Sequence, residues 1–216
     1  IYYQHDETDL LKGYALIFGP TDSLYKYGAY LFEFNFPTNY PHAPPAVKFF
    51  TNDGNIRFHP NLYRNGKVCL SILNTWNGEP WTACMNINTI LLTILSILDK
   101  TPLLHEPGIT ALHKDFINYN KIIEYKNLEI AIFKMLDLTT GILPKHFMCF
   151  YDIIKDNYIK EYKNIDNIVK TITNGKKVDD ITLQIYNNSR ILLDYPKLEK
   201  MNKLLYKKMK KNKIEI

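Results

Sequence analysis

No stretch of this chain is apolar for the ~20 residues that a membrane-spanning helix needs, and none is laid out as a secretory signal. A transmembrane helix is thereby excluded, and no membrane partner is expected. Cysteine is scarce. Cys69, Cys84 and Cys149 share no metal-ligand spacing, and three thiols do not pair off into a disulfide framework. A reducing compartment, the cytoplasm and/or the nucleus, fits that count. Charge of one sign is also lacking: the formal net charge is +5, with much of the basic excess at the end of the chain, so the core is not an evident nucleic-acid binder. Finally, nothing has the form of a nucleophile elbow or of the local signature of a cysteine protease.

What is present centres on the run RFHPNLYRNGKVCLSIL, in which His59-Pro60-Asn61 is followed eight residues after the Asn by Cys69. Taken singly, a Cys beside Val and Leu is most often a small buried hydrophobe, and a lone His a satisfied core or turn residue. Together, on a loop stiffened by proline and released by Gly66, they bring a thiol nucleophile close to a side-chain amide. That pair suits acyl transfer through a thioester. The thiolate attacks an activated carbonyl, and the amide of Asn61 hydrogen-bonds the oxygen as negative charge develops on it.

Around this motif the periodicities alternate. Tyr14, Leu16 and Phe18 read as a strand ending at Gly19-Pro20, with only about ten residues ahead of it. Tyr30, Phe32, Phe34 and Phe36 line one face of a second strand whose other face carries Glu33 and Asn35, and Ala46 to Phe50 forms a third. Together they predict an antiparallel meander. Pro37, Pro41, Pro44 and Pro45 forbid helix and fix a stiff extended loop between the second and third strands. Ile87, Ile90, Leu91, Ile94, Leu95 and Leu98 follow helical spacing, a core stripe and not a cofactor box. Thr110 to Leu138 predicts two helices separated near Asn118-Tyr119-Asn120. After Thr139-Thr140-Gly141, Pro144 opens a further helical region running toward Tyr162, and Asn174-Gly175 marks a turn. Pro196 to Lys213 combines Leu198, Met201, Leu205 and Met209 with eight lysines. Such a segment is a solvated helix packing one stripe on the core, or a docking surface for an acidic partner.

The ordered set of a Gly-Pro turn, an aromatic strand, Tyr40-Pro41-x-x-Pro44-Pro45, His59-Pro60-Asn61, Cys69, the loop TWNGEPWTAC and a long apolar helix resembles the ubiquitin-conjugating enzymes over roughly residues 10 to 138. The resemblance implies an α+β UBC-like fold, an antiparallel β-meander packed against helices. It implies a core over residues 1–138 and a C-terminal, mostly helical extension over 139–216. Ser71 and Glu106-Pro107-Gly108 are similar to the subclass with a longer Trp loop and a C-terminal extension. The family places an amphipathic helix ahead of the first strand. That helix is missing here, so the expectation is either a fragment or a protein that dispenses with it. His42, and Thr82-Ala83-Cys84 after Trp81, depart from the apolar residue and the Ser-Pro-Ala usual at the family's ligase-binding end.

By the same resemblance, Cys69 receives ubiquitin or a ubiquitin-like modifier from an activating enzyme, which consumes the ATP, so no cofactor is bound directly. The modifier then passes to a lysine of a protein substrate or to a ligase cysteine. Exchange between similar thioesters is near balanced and demands no dedicated base. The resemblance accordingly makes His59 a brace for the loop of Asn61. Transfer to lysine is harder, since only about one lysine in a thousand is neutral near pH 7.4. Glu106, 37 residues after Cys69, lies where the family places an acidic gate, with His105 beside it. The competing readings are a catalytically inactive ubiquitin-binding variant of the same fold, which the presence of Cys69 argues against, and a hydrolase using Cys69 with His59.

Overall fold

The computed structural model describes residues 1–211, so Lys213, the expected end of the lysine-rich segment, lies outside the described residues. By internal contacts the chain divides into two compact units, Ile1–Ile109 and a second from Thr110 onward. The boundary read from the sequence lay at 138/139. Charge divides with the units: residues 1–109 carry seven Lys and Arg against nine Asp and Glu, whereas residues from 110 onward carry twenty against thirteen.

The first unit is built on a four-stranded antiparallel sheet in the order β1 (Tyr2–His5), β2 (Lys12–Phe18), β3 (Ala29–Asn35), β4 (Ala46–Phe49). The meander of β2, β3 and β4 is the one expected, with Leu16 opposite Leu31 and Phe32 opposite Phe49. Strand β1 was not foreseen. Its alternation is weak, but Tyr3 lays its ring over Gly13 of β2, where any Cβ would collide with the phenol, and meets Phe34 edge-on at 5.7 Å. An aromatic covering a strand glycine is a recognised device for holding an edge strand.

Tyr30 of β3, Phe49 of β4 and Phe58 form a fully buried aromatic cluster with centroids 6.0 to 6.4 Å apart. Tyr25, equally buried, donates its hydroxyl to the Phe58 carbonyl at 2.7 Å, which fixes the backbone just ahead of His59. Helix α1 (Ile87–Ile97) buries Ile90, Leu91, Ile94 and Ile97, and Leu98 follows it into the core. A reciprocal cap starts this helix: Asn86 accepts from the Thr89 N–H, and Thr89 accepts from the Asn86 N–H.

In the second unit the expected break near Asn118-Tyr119-Asn120 does not occur. Helix α2 (Phe116–Lys126) runs straight through it and continues as a π-helical stretch, Asn127–Lys134. Tyr119 is fully buried, and its N–H donates to the Asp115 carbonyl at 2.7 Å, so burial overrides the local preference of the flanking asparagines. After 3₁₀ turns at Lys145–Phe150, helix α3 (Tyr151–Thr173) extends well past Tyr162. A hairpin, β5 (Val178–Leu183) with β6 (Ser189–Asp194), then precedes helix α4 (Tyr195–Lys211). The extension is therefore mostly helical but contains this hairpin, whose inward face is Ile181, Leu183, Ile191 and Leu193. Helices α3 and α4 are joined by Tyr158 and Asn202, by Asn202 and Asp166, and by the stacked rings of Tyr162 and Tyr206.

Candidate active site

The turn His59-Pro60-Asn61 closes on itself. The Leu62 N–H donates to the His59 carbonyl at 2.9 Å, and the Asn61 N–H donates to His59 Nδ1 at 3.0 Å. A second small turn follows, in which Gly66 donates to the Tyr63 carbonyl and receives the Phe49 N–H on its own carbonyl. At φ 87°, with a would-be Cβ 2.7 Å from the Phe49 oxygen, this position admits only glycine. The two turns return the chain so that Cys69 lies against Asn61. The Cys69 N–H donates to the Asn61 carbonyl at 2.9 Å, and Asn61 Nδ2 donates to the Cys69 carbonyl at 2.6 Å. The eight-residue spacing is thus a closed loop joined at both ends by the two residues of interest. Cys69 itself is 1% exposed.

Beyond Cys69 the backbone turns at Ser71–Leu73 and passes through Asn74 in the left-handed region, φ 56°. The Thr75 hydroxyl then accepts from the Leu70 N–H at 3.0 Å and donates to the Val68 carbonyl at 2.9 Å, tying down both neighbours of Cys69. Gly78 lies against the Ser71 side chain. Asn74 Oδ1 accepts from the Trp81 N–H at 3.0 Å, and the Trp81 indole donates to the Pro41 carbonyl at 2.7 Å, beside the Tyr40 ring. The Trp loop and the proline-rich loop are therefore one joined end of this unit.

His59 is fully buried, and that burial, reinforced by the nearby His105 and the Arg57 charge, holds its imidazole well below the usual histidine range. It is neutral at physiological pH. Because Nδ1 accepts from Asn61, the ring proton is assigned to Nε2, which is buried and meets no hydrogen-bond partner among the described residues. The His59 and His105 rings lie 4.8 Å apart, and His105 Nε2 is 2.9 Å from Asp99 Oδ2. Glu106 meets the turn by another route, an ion pair of 3.8 Å with Arg57, whose Nε donates to the Pro60 carbonyl at 3.1 Å.

The structure thus brings Asn61 and Cys69 together, sets His59 beneath Asn61 and links Glu106 to Pro60 through Arg57. Arg57, Asn74 and Thr75 were missed in the sequence. Only the clustering of Asn74 and Thr75 at the start of the Trp loop hinted at turn chemistry. Among the described residues no group of three His, Cys, Asp or Glu side chains could hold a metal ion, and no helix is long and apolar enough to cross a membrane.

Residues 1–126 match the family described as ubiquitin-conjugating enzyme. The chain belongs to the ubiquitin-conjugating enzyme family. It is 38% identical over 176 residues to ubiquitin-conjugating enzyme E2 Z of Xenopus tropicalis, covering 75% of this chain and 56% of that protein. The human E2 Z is 40% identical over 157 residues, 68% of this chain and 44% of the relative. The human dual E2 ubiquitin-conjugating enzyme/E3 ubiquitin-protein ligase BIRC6 is 43% identical over 109 residues, 48% of this chain and 2% of the relative. The chain spans about half the length of the E2 Z relatives it matches.

Proposed function

We propose that this chain accepts ubiquitin or a ubiquitin-like modifier as a thioester on Cys69 and passes it to a substrate lysine or a ligase cysteine. The observation that carries this reading is the reciprocal pairing of Asn61 with Cys69, which puts a carboxamide donor on the residue that bears the thiol. In loading, the Cys69 thiolate attacks the carbonyl of the activating enzyme's thioester, and that enzyme's thiolate leaves. In discharge, a lysine amine attacks, negative charge collects on the carbonyl oxygen, and Cys69 departs as thiolate. A carboxamide has two N–H donors, so one can hold the Cys69 carbonyl while the other is offered to the oxyanion. His59, neutral and with Nδ1 engaged by Asn61, suits a brace better than a base, which also disfavours the hydrolase reading.

The partners on this reading are the modifier, an activating enzyme, ligases and protein substrates. The joined Trp81 and Pro41 loops are the ligase end, and residues 139–216 tune which partner is accepted without taking part in the chemistry. The presence of Cys69 favours this reading over an inactive ubiquitin-binding variant. The test is charging with activating enzyme, ATP and ubiquitin, or a ubiquitin-like modifier, resolved on a non-reducing gel. A thiol-sensitive adduct is expected, lost in Cys69→Ala and replaced by a thiol-resistant oxyester or lost in Cys69→Ser. Normal charging of Cys69→Ala together with loss in Cys84→Ala would move the nucleophile elsewhere.

A further inference from the structure

One guanidinium joins the turn of the amide donor to the turn of the acid. Arg57 Nε donates to the Pro60 carbonyl at 3.1 Å, and Nη2 donates to the same oxygen. The same Nη2 lies 3.8 Å from Glu106 Oε2, and the guanidinium sits 3.7 Å from the centre of the Tyr63 ring. The pair is largely shielded, with side-chain exposures of 13% for Arg57 and 24% for Glu106, so its attraction is screened less than that of a surface pair. A planar fork can engage a carbonyl, a carboxylate and a ring face at once, whereas an ammonium is a single point charge.

From this geometry, and resting on the thioester reading above, we infer that Arg57 is a positioning residue for transfer to lysine. Pro60 immediately precedes Asn61, so the contact to its carbonyl sets where the amide donor stands. The contact to Glu106 sets where the carboxylate stands. Loading by thiol exchange leans little on either group. Discharge needs both: the ammonium gives one proton to the Glu106 carboxylate, the freed electron pair forms the C–N bond, the carbonyl oxygen takes charge against Asn61, and the C–S bond breaks as that charge returns, the nitrogen's second proton passing to the departing Cys69 thiolate. Arg57 touches neither the thioester nor the incoming amine, and it fixes the relation between Asn61 and Glu106, the two groups that act on them.

The experiment uses the full chain charged with ubiquitin, or with whichever modifier loads the wild type, and follows single-turnover discharge to free lysine across lysine concentration and pH. Arg57→Gln is expected to slow discharge by about 10- to 100-fold, the cost of a misplacement of about 1 Å, and to affect it more than loading. Glu106→Gln is expected to slow discharge as well, and the double variant Arg57→Gln/Glu106→Gln to be little slower than the worse single, because the two residues act as one unit. Arg57→Lys is expected to recover part of the loss, and raising the pH to narrow the deficit of Glu106→Gln as lysine deprotonates unaided. Single-variant losses that multiply in the double, or discharge that falls only in step with loading and melting temperature, would overturn the positioning role. Arg57→Lys keeps the comparison decisive where Arg57→Gln fails to fold. Failure of the wild type to charge at all would instead sink the thioester reading.

Discussion

Replacing Thr75 by Val isolates one hydroxyl that holds the backbone on both sides of Cys69. That oxygen accepts from the Leu70 N–H at 3.0 Å and donates to the Val68 carbonyl at 2.9 Å, and both partner residues are buried. Valine keeps the shape but strands the Leu70 N–H, and an unsatisfied buried donor costs about 1–3 kcal/mol. Thr75 itself is exposed, so water relieves part of the loss, and the lower half of that range, about 1–2 kcal/mol, is expected. For a unit of this size that corresponds to a fall in melting temperature of about 4–8 °C. The local readout is sharper: amide exchange at Leu70 should accelerate by roughly tenfold per 1.4 kcal/mol, while amides in β2 and β3 respond only through the global change. Thr75→Ser keeps the oxygen and should stay near wild type. Equal melting and equal Leu70 exchange in the valine and serine variants would refute the hydroxyl's role.

Two further outcomes follow from the site. His59 is held neutral by burial while an unfolded His titrates near pH 6.5, so the unfolded state binds the extra proton as pH falls; stability is flat above about pH 6.5 and declines below it by up to ~1.4 kcal/mol per pH unit until the depressed folded value is reached. Denaturant unfolding of wild type and His59→Asn between about pH 7 and pH 5 should show a smaller acid slope in the variant, and equal slopes would refute the assignment. Asn61→Ala should reduce lysine discharge by about 10² to 10³ while loading is largely kept. An equal loss of both, with lowered thermal stability, would make the hydrogen bond to the Cys69 carbonyl purely structural.

The parts legible in sequence were those in which one segment carries its own signal. Alternating aromatics marked β3, the apolar stripe marked α1, and His59-Pro60-Asn61 with Cys69 marked the site because proline and glycine dictate turns locally. Strand β1 was not legible because its hold on the sheet is the Tyr3 ring over Gly13, a pairing between segments. The same is true of the β5–β6 hairpin, whose connection places Tyr186 and Asn187 in the left-handed region, a conformation that tyrosine does not advertise. The false break at Asn118-Tyr119-Asn120 came from reading asparagines as turn formers when a buried Tyr119 had already committed the backbone to helix. Arg57 and Thr75 were invisible for a different reason. Arginine and threonine are common on any surface, and what distinguishes these two is the carbonyls and amides they meet.

The exposure of the three thiols has a consequence for redox chemistry. Cys69 is 1% exposed, whereas Cys84 and Cys149 lie open. An oxidant or alkylating reagent arriving from solution meets the two bystanders first, since attack follows access as well as thiolate character. Titration of reactive thiols on the resting chain therefore reports chiefly on Cys84 and Cys149 and under-reads the proposed nucleophile. By the same shielding, a mild oxidative challenge consumes the open thiols, where sulfenic acid and mixed disulfides are reversible, before it reaches Cys69, the sulfur on which the proposed thioester chemistry depends.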